Sequence, residues 1–157
     1  MLLNKVGIAD NDFLNVVKSI EKYLNETVLI FISDHGHRYA SIRQTVIGRL
    51  EARMPFLSIN VPKWFQQKFP SAYANLFANS HKLTTQFDIY DTFQDIANGD
   101  YSGSNASKKT DKNDQYSWTK RSVSANQKRA YSLFRPIPAD RKCFIANIPE
   151  EYCVCSQ

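Results

Sequence analysis

Apolar residues at Phe13, Leu14, Val17, Ile20 and Leu24 recur at spacings of one, three, three and four, the stripe of a helix packed on one side. Asp10 stands just ahead of this stripe as its cap. After a polar turn at Asn25-Glu26 the pattern changes. Residues 27–33 form a continuous β-branched and aromatic run without polar alternation, which predicts a strand buried on both faces and therefore parallel to its neighbours. The helix before it is expected to cover the sheet. Residues 36–53 are polar and predict a loop with a short helix near 42–50, and the run over 54–61, closed by Pro62, predicts a second strand. Helical patterns follow at 63–69, 72–79 and 86–97. Leu83-Thr84-Thr85 bridges the last two and caps the third, which Asn98-Gly99 ends. The expected fold class is α/β, a mainly parallel sheet flanked by helices.

The polar-to-apolar balance divides the chain in three. Residues 1–99 carry the α/β pattern. Residues 100–129 are rich in Ser, Asn, Lys, Asp and Gln and predict a flexible insertion or linker. Residues 130–157 regain apolar positions among prolines and cysteines and predict an irregular tail laid over the domain. There are no internal repeats. At 157 residues and 43% apolar, the chain is long enough for one sizeable core.

The formal charge of +5 changes meaning once it is located, because residues 108–142 carry +7 and leave the rest of the chain at −2. A basic segment with no recognised binding motif reads as solvated surface, so no nucleic-acid partner is expected. No stretch approaches the roughly 20 apolar residues of a membrane span, and Met1-Leu2-Leu3-Asn4-Lys5 lacks the apolar length of a signal peptide. Cysteine usage points to an oxidising compartment. Cys143, Cys153 and Cys155 crowd the end of the chain beside Pro136, Pro138 and Pro149, the pattern of a stapled tail whose pairing the spacing leaves open. Three reduced thiols are the alternative. A zinc site on Cys153-Val154-Cys155 is disfavoured by its one-residue spacing. The sequons Asn25-Glu26-Thr27 and Asn105-Ala106-Ser107 fit an extracellular or lumenal setting.

Candidate chemistry concentrates where the first strand ends. Asp34 and His35 follow Val28-Leu29-Ile30-Phe31-Ile32 and precede Gly36. A carboxylate and an imidazole at the carboxyl rim of a sheet can reach one divalent metal, and the glycine lets the backbone turn away. Arg43, on the following loop, is placed to contact an anion, while Arg53 is expected to anchor the loop through Glu51 or a backbone carbonyl. Ser33 lies within the strand and would aim away from the ion, so it is no nucleophile. His37 and His81 read as surface histidines.

The residues 25–36, then Arg38, Ile42-Arg43-Gln44-Thr45, and 48–59, carry a resemblance. They resemble the sulfatase-like branch of the alkaline phosphatase superfamily, and more narrowly an animal family, abundant in nematodes, described as a domain of unknown function. Leu83-Thr84-Thr85, Phe87-Asp88-Ile89-Tyr90 and Thr92 are similar to it, as are Ser132-Leu133-Phe134-Arg135-Pro136-Ile137-Pro138, Arg141, Cys143, Ile148-Pro149, Cys153 and Cys155. The resemblance implies a metal-dependent hydrolase of phosphate or sulfate esters, in which Asp34 and His35 ligate a divalent ion, Zn²⁺ or Ca²⁺. In such enzymes the nucleophile and first metal carboxylate precede this motif, so the chain is expected to be the C-terminal portion of a longer secreted or lumenal protein, binding metal weakly and inactive alone. The alternative is a non-catalytic extracellular scaffold or binding protein on the same fold.

Overall fold

The computed structural model describes residues 7–37, 41–103 and 129–155. Helix α1 (Asp10–Ile20) has Asp10 and Asp12 in its first turn and Lys18 in its last, which suits the helix dipole. Asp10 is the first helical residue, and Ala9 holds the cap position without a side-chain bond. The amphipathic stripe forms as predicted but covers no sheet. No residue of α1 is buried, Phe13 is 60% exposed, and its main neighbour is the 3-10 turn Glu21–Tyr23 that follows.

Strands β1 (Leu29–Ile32) and β2 (Leu57–Asn60) pair antiparallel, with Leu29 opposite Asn60 and Ile32 opposite Leu57. This corrects the parallel expectation. The unbroken apolar run of β1 was read as burial on both faces, yet β1 is half-buried and Ile32 is 49% exposed. Chain direction was set by the connection instead. The 3-10 turn Ser41–Gln44 and helix α2 (Val46–Arg53) return the chain to the end of β1 that it left, so β2 must run back along it. Ser33 extends the pairing: its N–H donates to the Phe56 carbonyl at 2.9 Å and its hydroxyl accepts from the Phe56 N–H at 2.9 Å.

Helices α3 (Lys63–Lys68) and α4 (Pro70–Asn79) meet at Phe69, where Pro70 starts the second helix in the position that needs no N–H. Helix α5 (Gln86–Asn98) begins with a capping box between Thr85 and Asp88 and ends at Gly99, whose φ of 64° is the left-handed stop that glycine adopts freely. Mixed α/β is thus the architecture: five helices and one two-stranded sheet among the described residues. No helix there is long and apolar enough to cross a membrane.

The core is built around the irregular segment 130–155. Phe134 is fully buried against Phe65 and Ala72, with Phe69 and Tyr101 packed beside them. Tyr131, Leu133 and Ile137 pack on Leu57 and Ile59, the inward-facing positions of β2. A segment with no ladder partner leaves its peptide groups to be satisfied by side chains. Polar residues on one face of α4 and α5 supply them. The Asn79 amide donates to the carbonyls of Leu133 (3.0 Å) and Arg135 (2.7 Å), and Asn75 donates to that of Phe134 (2.9 Å). Asp88 accepts from the Tyr131 N–H at 2.7 Å, and Thr92 accepts from the Leu133 N–H at 2.8 Å. Helical spacing puts Asn75 with Asn79, and Asp88 with Thr92 and Asp95, on the buried faces.

Two arginines close the arrangement through three ion pairs. The Arg141 guanidinium, 1% exposed, donates to the fully buried Asp88 carboxylate at 2.8 Å and to the Leu83 carbonyl at 3.1 Å. Arg135 bridges Asp95 at 3.1 Å and Asp100 at 2.6 Å. Burial pushes the Asp100 carboxyl up, but the Ser102 N–H and Arg135 outweigh it and hold the group below the ordinary carboxylate range. Its contribution to stability is therefore present above the ordinary value and lost as pH falls through the lower folded one. Cys143 and Cys153 are joined in a disulfide, and Cys155 is an exposed free thiol.

Removing the Asp88 carboxylate strands the Arg141 charge and two backbone donors, so Asp88→Ala is expected to cost about 3–5 kcal/mol in urea denaturation. Phe134→Ala is expected to cost a similar ~3–5 kcal/mol through its cavity. A loss under about 1 kcal/mol for either would mean that segment 130–155 is not integral to the core.

Candidate functional site

Ser33-Asp34-His35-Gly36 leaves β1 and is held from three sides. The Gln86 amide, at the start of α5, donates to the Asp34 carbonyl at 2.7 Å. The Gly36 N–H reaches the Ala52 carbonyl of α2 at 3.4 Å, and Ser33 is tied to Phe56. Gly36 is required by close approach: a Cβ there would run into the backbone carbonyl of Glu51. The loop therefore lies directly on the last turns of α2.

The two side chains converge. Asp34 Oδ1 accepts from the His35 N–H at 2.9 Å, and Asp34 Oδ2 lies 3.4 Å from His35 Nε2. On the other side of the ring, His35 Nδ1 sits 2.7 Å from the Gly36 carbonyl oxygen. A carbonyl only accepts, so Nδ1 donates to it, and Nε2 is the atom turned to the carboxylate. The Asp34 side chain is 85% exposed and that of His35 35% exposed, so both are open to solvent.

They face a cleft of about 1220 Å³. Arg43, in the 3-10 turn, and Arg49 and Arg53, one turn apart on α2, line it together with Lys82 and Arg129. Asp34 is the sole carboxylate among the described lining residues. Arg53 does not take the Glu51 anchor expected of it; its guanidinium lies over the Tyr152 ring at 5.9 Å instead. Arg129 stacks on Phe87 at 3.6 Å. His81 also lines the cleft, exposed, with its ring edge-on to Phe77, and His37 is half-buried. Arg38 and the second sequon lie outside the described residues, as does most of the predicted insertion, residues 104–128.

Beyond Asp34 and His35, no third His, Cys, Asp or Glu joins them in a cluster among the described residues; the one such cluster is that of Cys143, Cys153 and Cys155, whose sulfurs lie within 4.8 Å of one another. Sequence reasoning did not single out Gln86, Lys82 or Arg49 as site residues. For Arg49 a signal was present in its four-residue spacing from Arg53; for Gln86 and Lys82 none was, because their place at the cleft follows from how the chain around the start of α5 meets the distant Asp34 loop.

The fold and this cleft define a mixed α/β protein with an Asp–His pair opening on a basic recess. The chain belongs to the family described as Protein of unknown function (DUF229), whose model matches residues 2–157. No curated protein and no solved structure matches it.

Gly36→Ala is expected to push the loop off α2 while sparing the core. Amide exchange at residues 33–37 should accelerate by at least about tenfold with little change at residues 131–137. Equal protection in both forms would contradict the close packing of Gly36.

Proposed function

We propose that this chain contributes the Asp34–His35 arm of a divalent-metal site in a phosphate- or sulfate-ester hydrolase of the extracellular space or secretory lumen. One observation carries the reading: a carboxylate oxygen of Asp34 and Nε2 of His35 lie 3.4 Å apart at the mouth of the cleft, with the ring oriented by Nδ1 against the Gly36 carbonyl. A carboxylate oxygen and a ring nitrogen at that separation are close enough to be shared by one cation. An imidazole ligand favours Zn²⁺ over Ca²⁺, which prefers oxygen. The Gly36 carbonyl is the outer partner that fixes the ring and its tautomer.

When bound, the ion would neutralise charge on the transferred group. The chain's own residues then have separate tasks. Asp34 supplies an anionic ligand, His35 a neutral one, and Arg43 an oxyanion contact at the cleft wall. Ser33 is engaged with Phe56, so the nucleophile and the remaining ligands are assigned to sequence outside the described residues. The two-ligand count favours one other reading, a non-catalytic extracellular binding protein on the same fold.

The test is calorimetric titration of Zn²⁺ into the chain, together with hydrolysis of p-nitrophenyl phosphate and p-nitrophenyl sulfate by the longest natural form that carries it. Asp34→Ala and His35→Ala are each expected to weaken Zn²⁺ binding at least about tenfold and to lower any hydrolysis by about 100-fold or more. Activity untouched by both substitutions removes the ligand role. Zn²⁺ binding without activity in the longest form selects the non-catalytic reading.

A further inference from the structure

The charge of the cleft exceeds what one ester group requires. Arg43, Arg49, Arg53 and Lys82 line it against Asp34 alone, although the chain outside residues 108–142 has a net charge of −2, and Arg129 joins them from that basic segment. Positive charge has thus been gathered on one recess of an otherwise slightly acidic body. Among the described residues no carboxylate lies within ion-pair distance of Arg43, Arg49 or Arg53.

Arg49 and Arg53 stand four residues apart on α2, where like charges destabilise a helix unless an anion bridges them. Their guanidiniums project from points about 6 Å apart along the axis. Planar guanidinium forks bind sulfate and phosphate oxygens in pairs, which suits repeated anionic groups along a chain better than one compact anion. Volume agrees with charge. At about 1220 Å³ the cleft exceeds the ~300–1,000 Å³ that encloses a drug-sized molecule.

We propose that the cleft binds a polyanionic chain, an oligomer bearing several sulfate or phosphate ester groups. Its anionic groups lie on Arg43, Arg49 and Arg53 along one wall, with the chain passing the mouth where Asp34 and His35 stand. The inference deepens the hydrolase reading by naming the substrate class, but the arginine contacts need no metal, so the two can fail separately.

The experiment is fluorescence anisotropy of the 157-residue chain with two labelled probes in EDTA, a highly sulfated hexasaccharide and a short inorganic polyphosphate of similar charge. At least one is expected to bind, more weakly at 250 mM than at 50 mM NaCl because exposed charges are screened. The tighter probe identifies the ester group. At about threefold per exposed pair, Arg43→Gln with Arg49→Gln should weaken binding roughly tenfold, and adding Arg53→Gln roughly thirtyfold. Arg43→Gln/Arg49→Gln leaves the Tyr152 stacking untouched, so its unfolding midpoint should match that of the parent chain.

Lys108→Gln/Lys109→Gln/Lys112→Gln should leave affinity unchanged, which separates the cleft from the basic segment of the sequence. The proposal is overturned if neither probe binds, if inorganic sulfate competes as well as the hexasaccharide, or if affinity follows the lysines and ignores the arginines. Intact polyanion binding in a chain that fails to bind Zn²⁺ would sink the metal reading and leave this one standing.

Discussion

A buried carboxylate on α5 is the constraint on which the rest of this structure depends. Asp88 completes the capping box of its own helix, accepts the Tyr131 N–H and receives the Arg141 guanidinium, all without exposure to water. Such a group is tolerated only because every contact is made together; remove one and the charge that remains is stranded in a medium that solvates it poorly. The same contacts fix where segment 130–155 enters and where it turns. Phe134 and Ile137 reach their pockets because the peptides around them are held by Asp88, Thr92, Asn75 and Asn79. Hydrogen bonding here places the apolar groups, and apolar burial supplies most of the driving force.

That frame also positions the candidate site, through short connections. Helix α5 begins at Gln86, two residues before Asp88, and Gln86 holds the Asp34 carbonyl. Leu83, whose carbonyl takes a bond from Arg141, borders the same cleft. Cys143 lines the cleft as well, and its disulfide to Cys153 closes a loop that contributes Ile148 and Tyr152. The Asp–His pair thus sits on a loop whose supports are the packed start of α5 and the end of α2, while its side chains stay open to solvent. A ligand site needs that combination of a fixed backbone and accessible donor atoms.

Local pattern made several elements legible. The stripe of α1, the cap and glycine stop of α5 and the turn after β1 follow from residues within a few positions of one another, where sterics and helix-end hydrogen bonding act. The Asp34–His35 pair and Arg43 could be named for the same reason: their chemistry is visible in residue type and in their place after an apolar run. Asn79, Thr92 and Asp95 could not be recognised as core residues, because a polar side chain in a helix reads as surface unless its distant partner is known. That partner lies 40 or more residues away in the chain, a backbone group for Asn79 and Thr92, which bond Leu133, and the Arg135 guanidinium for Asp95.

The sequence by itself determined the helices, the apolar runs, the cysteine-rich end and the residue types at the strand exit, since each rests on short-range periodicity or intrinsic conformational preference. Tertiary structure alone decided the antiparallel pairing of β1 with β2, the burial of an irregular segment at the centre of the core, and the gathering of Arg43, Arg49, Arg53 and Lys82 around one recess. Strand direction depends on the path of the connection, and burial and electrostatic clustering depend on which distant surfaces meet. Those are properties of the folded chain as a whole, and no window of neighbouring residues contains them.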